Sequence, residues 1–271
     1  MKTIGEILKL SQDFLADRKI DRPRRIAEEI IAHVLHLKKM DLYLQFDKPI
    51  IEHELGVIRE LLKRCSKGEP LDYALGEVEF FGCRIRIDRR VLIPRPETEI
   101  LVEKISKQAK TGILWDVCTG SGCIGIALKK ACPELQVTLS DISNEALALA
   151  SENAKSNGVD VSIARGDLLE PFKGQKADFV ICNPPYISED EYAKLDSSVR
   201  DYEPKLALVG GPKGSEFYER LKGELPSYLN PGANVFFEIG AGQGEVLKGL
   251  FPEGELQTDW AGLPRFFTVR V

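Results

Sequence analysis

From residue 113 onward the chain alternates between short apolar runs and longer amphipathic stretches, an order that few folds accept. Residues 113–117 read as a buried strand, followed by a glycine loop and a helix over 124–132. Residues 136–139 form the next strand, running out to Asp141, and 144–156 read as a helix. Residues 161–164 and 178–182 give two further strands. Strand–helix alternation of this kind builds a mostly parallel sheet with helices on both faces, an α/β fold. The C-terminal part differs: a strand over 234–239, a helix over 243–250 and two strands within 255–271.

The first 72 residues have another character. Ile4, Ile7, Leu8, Ser11, Phe14 and Leu15 recur at helical spacing. Asp21 is expected to cap a second helix, with Pro23 in its first turn and Ile26, Ala27, Ile30, Ile31, Val34 and Leu35 on its apolar face. Ile51, Leu55, Ile58, Leu62 and Cys65 mark a later helix. Short connectors imply a small bundle, read either as a stability module or as a docking surface for a protein substrate. Residues 78–81 and 84–87 alternate on either side of Gly82-Cys83 and predict a β-hairpin between two domains. The expected divisions are 1–72, 73–92 and 93–271. Pro94 and Pro96 then fix an extended entry into a helix beginning near Glu97.

Composition narrows the function classes. A net charge of −5 and a pI near 5.5 argue against a partner held mainly through phosphates. No apolar stretch is long enough to span a membrane, and Met1-Lys2-Thr3-Ile4-Gly5-Glu6 does not open a signal peptide. The six cysteines contain no C-x-x-C pair and read as reduced thiols of a cytoplasmic protein. His33 and His36 lack a matching carboxylate or cysteine cluster, so no metal site is expected.

Asp116-Val117-Cys118-Thr119-Gly120-Ser121-Gly122 follows a strand and opens a helix. Glycines let a ligand approach the backbone, and the helix start presents free N–H groups. Gly120, Gly122 and Gly125 also fit the G-x-G-x-x-G spacing of dinucleotide sites, so the loop alone leaves the cofactor open. Asp141, about 20 residues on, can accept hydrogen bonds from both hydroxyls of a ribose. Asp167 can face an adenine edge, with Leu168 packed on the ring. Two acids at consecutive strand ends favour a nucleoside site over two turn residues.

Asn183-Pro184-Pro185-Tyr186 selects the chemistry. Two prolines fix φ and remove two backbone donors, leaving a stiff turn with bare carbonyls, one amide side chain and one ring. A planar NH2 group is a weak nucleophile because its lone pair is delocalised. The Asn183 side-chain oxygen and the Pro184 carbonyl can take its two N–H bonds, favour pyramidalisation and aim the lone pair at a sulfonium methyl group. Such positioning can contribute about 7–11 kcal/mol. Tyr186 can stack on the flat acceptor and tolerate the sulfonium charge, and Pro185 completes the acceptor-binding turn.

With these segments in place, the sequence resembles the class I S-adenosylmethionine-dependent methyltransferases. More narrowly, it is similar to the N5-glutamine methyltransferases called PrmC or HemK. The resemblance covers nearly the whole chain. It includes Leu92-Ile93-Pro94-Arg95-Pro96-Glu97-Thr98-Glu99, Val199-Arg200-Asp201-Tyr202-Glu203-Pro204, Ala207-Leu208-Val209-Gly210-Gly211 and Glu238-Ile239-Gly240. It implies a Rossmann-like, mostly parallel seven-stranded sheet with an antiparallel C-terminal strand, beside a small N-terminal helical bundle. It implies S-adenosylmethionine as cofactor, held at Cys118, Thr119, Gly120, Ser121, Gly122, Asp141, Asp167, Leu168 and Asn183. Asn183, Pro184 and Tyr186 are the expected catalytic residues, and Asn183 through Tyr186 the expected substrate contacts.

The implied substrate is the glutamine of the Gly-Gly-Gln motif in class 1 peptide chain release factors. The expected enzyme is a cytoplasmic monomer with no DNA or membrane partner. Cys118 stands where the family often has glycine, and Leu168 where some members carry an aromatic residue. Four rivals compete: a glutamine methyltransferase of a ribosomal protein, a DNA adenine N6-methyltransferase, a nicotinamide oxidoreductase and a catalytically silent binding protein. The acidic charge weighs against the DNA enzyme. The proline turn has no role in the oxidoreductase, and the intact turn and strand-end acids weigh against a silent protein.

Overall fold

Thr3 starts the first helix by a reciprocal cap: its Oγ1 accepts the Glu6 N–H at 3.3 Å, and Glu6 Oε2 accepts the Thr3 N–H at 2.9 Å. The computed structural model describes residues 1–271 and divides them into two units, 1–76 with 197–202 and 77–196 with 203–271.

The first unit holds α1 (Ile4–Ala16), α2 (Pro23–Val34), α3 (Lys39–Leu44), α4 (Glu52–Cys65) and α5 (Leu71–Leu75). Ile4, Leu8, Leu15, Ile30, Ile31, Ile58 and Leu62 form its core, as their helical spacing requires. Asp21 does not cap α2. Arg22 occupies that position with φ +48° and gives no side-chain cap, while Pro23 sets the helical φ of the first turn. Asp21 lies in solvent beside Arg22. Tyr202 Oη donates to the Lys67 carbonyl at 3.0 Å.

The second unit begins with a hairpin, β1 (Glu77–Phe80) and β2 (Cys83–Arg86), antiparallel as expected. Then come α6 (Pro96–Gln108), β3 (Gly112–Val117), α7 (Cys123–Ala131), β4 (Leu135–Asp141), α8 (Asn144–Ser156), β5 (Ser162–Arg165) and β6 (Ala177–Cys182). A less regular stretch follows, with β7 (Ile187–Ser188), α9 (Glu189–Tyr192), α10 (Ser197–Arg200, counted with the first unit) and β8 (Val209–Gly211). The chain ends with α11 (Glu216–Glu224), β9 (Leu229–Glu238), α12 (Gly244–Leu250), β10 (Glu255–Thr258) and β11 (Pro264–Arg270).

Seven strands form one sheet in the order β10–β11–β9–β6–β3–β4–β5. The pairs β9–β6, β6–β3, β3–β4 and β4–β5 are parallel, and β11 runs antiparallel to both of its neighbours. The fold class expected from alternation is therefore the one observed. Trp115 anchors the core, 1% exposed and stacked on Phe172 at 3.9 Å. The hairpin placed between domains by the sequence is bound to α8. Asn153 Oδ1 accepts the Arg86 N–H and its Nδ2 donates to the Arg86 carbonyl, while Asn157 makes the same pair with Arg84. No helix is long and apolar enough to cross a membrane.

Glu28 is the buried acid of the helical unit. Burial opposes its ionisation, but hydrogen bonds from Tyr43, Arg24 and Lys39 outweigh that and hold its pKa at about 2 against a usual 4.5. A depressed carboxyl stabilises the fold above its unfolded pKa and loses that contribution as pH falls toward the folded value. Glu28→Gln should therefore cost about 1–3 kcal/mol at pH 7, the gap to wild type narrowing from pH 4.5 toward pH 2, as followed by denaturant titration.

Candidate active site

Strand order creates the site. β3 pairs with β4 on one side and with β6 on the other, so connections leave in opposite directions and a crevice opens at the carboxyl ends of the strands. Val117 and Cys182 are register partners, the last residues of β3 and β6. The glycine loop and the Asn-Pro-Pro-Tyr turn consequently start side by side.

Asp116, 1% exposed, braces the loop from beneath. Its Oδ2 accepts Thr119 Oγ1 at 2.6 Å and the Gly125 N–H at 2.9 Å. Burial raises its pKa to about 6 against the pull of these two donors. The loop reverses through three left-handed residues, Cys118 (φ +59°), Gly120 (φ +53°) and Gly122 (φ +80°). Gly122 and Gly125 are packing positions. A Cβ on Gly122 would meet Ile126 at 2.8 Å, and one on Gly125 would meet Leu139 at 2.2 Å. The third glycine of the dinucleotide-like spacing thus lets α7 lie against β4.

Asp141 ends β4 and closes the loop from its far side. One oxygen accepts the Gly120 N–H and the other the Ser143 N–H, each at 2.9 Å. Burial raises its pKa, opposed by those backbone donors. Cys118, Thr119, Gly120, Ser121, Asp141, Asp167, Leu168 and Asn183 all line one cavity of about 490 Å³ within the second unit; Gly122 does not. Leu168 is 3% exposed at φ +50°, and Asp167 is paired with Arg220 at 2.8 Å. Pro185 lines the cavity beside Asn183, while Pro184 and Tyr186 are not among the lining residues.

The turn is braced from behind by β7 and β8. The Ile187 N–H donates to the Leu208 carbonyl at 2.9 Å, and Ile187 pairs with Val209. A Cβ on Gly210 would lie 2.3 Å from the Pro185 carbonyl oxygen, so the strap can pass only without a side chain there. Desolvation, reinforced by the nearby Glu238, pushes the Tyr186 phenol up to about 12.

Two roles were not assigned from sequence. Glu203, 4% exposed, accepts Arg95 Nη2 at 2.7 Å and the Ile93 N–H at 3.3 Å, joining the Pro-Arg-Pro and Tyr-Glu-Pro segments; Arg95 and Pro204 line the cavity. Those paired segments were the only sequence signal for it. Ser140 also lines the cavity, and its buried Oγ has no hydrogen-bond partner; neither has Asp116 Oδ1. The unpartnered Ser140 hydroxyl, beside the Asp141 carboxylate at the end of β4, suits a hydroxyl-rich nucleoside carrying an amino acid tail, and the cavity therefore fits S-adenosylmethionine.

Comparison with known proteins follows the same lines. Residues 96–198 match the methyltransferase small domain family, and residues 6–76 match the PrmC N-terminal domain. The release factor glutamine methyltransferase of Geobacter sulfurreducens is 39% identical, covering 92% of this chain and 88% of that protein. The protein of the same name from Chlamydia trachomatis serovar D is 40% identical, covering 97% and 92%. The crystal structure of a methyltransferase from Pyrococcus furiosus superposes with a TM-score of 0.54 at 16% identity, over 81% of this chain and 98% of that one, which speaks to the fold alone.

Glu238, at the end of β9, is 3% exposed. Thr98 Oγ1 donates to its Oε2 at 2.7 Å, and Tyr218 Oη donates to its backbone carbonyl at 2.8 Å. Burial raises its pKa to about 7, against the hydrogen bond from Thr98 and the charges of Arg265 and Arg95. A raised carboxyl favours the fold fully below its unfolded pKa and loses that advantage as pH climbs through the folded value. Glu238→Gln, which still accepts from Thr98, should exceed wild type in stability by about 1–3 kcal/mol at pH 8 and match it at pH 4.5, by thermal unfolding across that range.

Proposed function

Because the chain belongs to the release factor glutamine methyltransferases, we propose that its Asn183–Tyr186 turn holds the glutamine side chain of a Gly-Gly-Gln motif in a class 1 peptide chain release factor for methylation on N5. The observation that carries this reading is the Val117–Cys182 pairing, which sets Asn183 beside the glycine loop on one cavity.

The protein is an S-adenosylmethionine-dependent methyltransferase, and that cofactor supplies a methyl group activated on a sulfonium centre. The residues that would hold it are Cys118 through Ser121, Asp141, Asp167, Leu168 and Asn183, with Gly122 acting behind them by packing. Asp141 and the unpartnered Ser140 hydroxyl serve its polar groups, and Leu168 offers an apolar surface. The Asn183 side-chain oxygen and the Pro184 carbonyl accept the two amide N–H bonds and turn the lone pair toward the methyl group. Tyr186 and Pro185 confine the acceptor. Its N-protonated product loses a proton readily to solvent, so no strong base is required before attack. Residues 1–72 serve to dock the partner protein, and 93–271 carry the chemistry, with the hairpin of 73–92 attached to them through α8.

Purified protein should transfer label from S-adenosylmethionine to a class 1 release factor and not to its Gly-Gly-Ala variant. Label reaching DNA, or a ribosomal protein alone, would overturn the assignment. Asn183→Ala should lower the single-turnover rate about 100-fold or more while circular dichroism stays native; a near-normal rate would remove Asn183 from the chemistry.

A further inference from the structure

Gln243 stands at the start of α12, outside the cavity lining, yet its amide makes three bonds to three separate segments. Its Oε1 accepts the Gly240 N–H at 3.0 Å. Its Nε2 donates to the Tyr186 carbonyl at 2.9 Å and to the Gly214 carbonyl at 2.9 Å. One partner is a donor and two are acceptors, so the orientation of the amide is fixed.

The turn depends on such outside help. Pro184 and Pro185 carry no N–H, so the first backbone donors after Asn183 come from Tyr186 and Ile187. The Ile187 N–H is used by Leu208. The Tyr186 carbonyl is held by Gln243, and Gly214 presses against the same oxygen: a Cβ there would lie 2.4 Å from it. Gly214, at φ +77°, is itself tied to Gln243 through its own carbonyl. One amide therefore sets the peptide that ends the turn and the loop that backs it.

We propose that Gln243 is a positioning residue for methyl transfer: by holding the Tyr186 carbonyl it fixes the last peptide of the turn, and with it the aim of the acceptors at Asn183 and Pro184. This rests on the role given to the turn above. The chemistry distinguishes the residue from one that only fills space. A glutamate has the same size, but its carboxylate would turn lone pairs toward two carbonyl oxygens and donate to neither. Alanine would leave a gap in which water can donate to both.

The test uses the full chain, with single-turnover transfer at saturating cofactor and separate titration of cofactor affinity. Gln243→Glu should slow transfer about 30- to 100-fold and Gln243→Ala about 10-fold, with cofactor affinity within about threefold of wild type in both. Gly214→Ala, which displaces the same carbonyl from its other side, should show the same split between rate and affinity. Transfer within threefold of wild type in Gln243→Glu, alanine at least as slow as glutamate, or cofactor affinity falling in step with rate would each overturn the proposal. Should wild type label another acceptor, the substrate reading falls, and the same ratios are read on that acceptor.

Discussion

The parallel pairing of β3 with β6 is the contact on which the rest of the site depends. The carboxyl-terminal half of each strand is buried on both faces, and the two end at the same level, Val117 beside Cys182. Everything that leaves those ends must share one crevice. A shift of one residue in that ladder would move each side chain of β6 to the opposite face of the sheet, so the register is held by the whole core and not by the site. The loop and the turn inherit their spacing from a hydrophobic requirement.

What the crevice then needs is stiffness, and it is obtained in two ways. The glycine loop is braced by carboxylates: Asp116 from below through Thr119 and Gly125, Asp141 from the far side through Gly120 and Ser143. The turn is braced by amides and by close backbone approach, through Gln243, Gly210 and Gly214. Charged braces hold the loop and neutral ones the turn.

Much of this was legible in the sequence because it rests on local pattern. The strands of the sheet and their alternation with helices follow from apolar runs, and the turn from two consecutive prolines. The cap of α2 was misread because Asp21 offered a good capping side chain while Arg22, next to Pro23, took the position. The start of β9 was hidden by Asn230-Pro231-Gly232, which reads as a turn but lies within the strand. β7, β8 and the short helices between them are too brief for a periodic signal. The Glu203–Arg95 pair and the Gln243–Tyr186 bond join residues 108 and 57 positions apart, and no local pattern reports such distances. The burial that raises Glu238 is likewise a property of the assembled core.

Asn153 of α8 and Asn157, which caps its C-terminus, have a consequence for behaviour in a crowded solution. Asn153 and Asn157 are one helical turn apart, and each offers an acceptor and a donor to one residue of β2, as a neighbouring strand would. The free edge of a two-stranded ribbon is a template for pairing with another chain. Here the β2 edge is occupied by side chains that cannot propagate a sheet, so the ladder ends on that side.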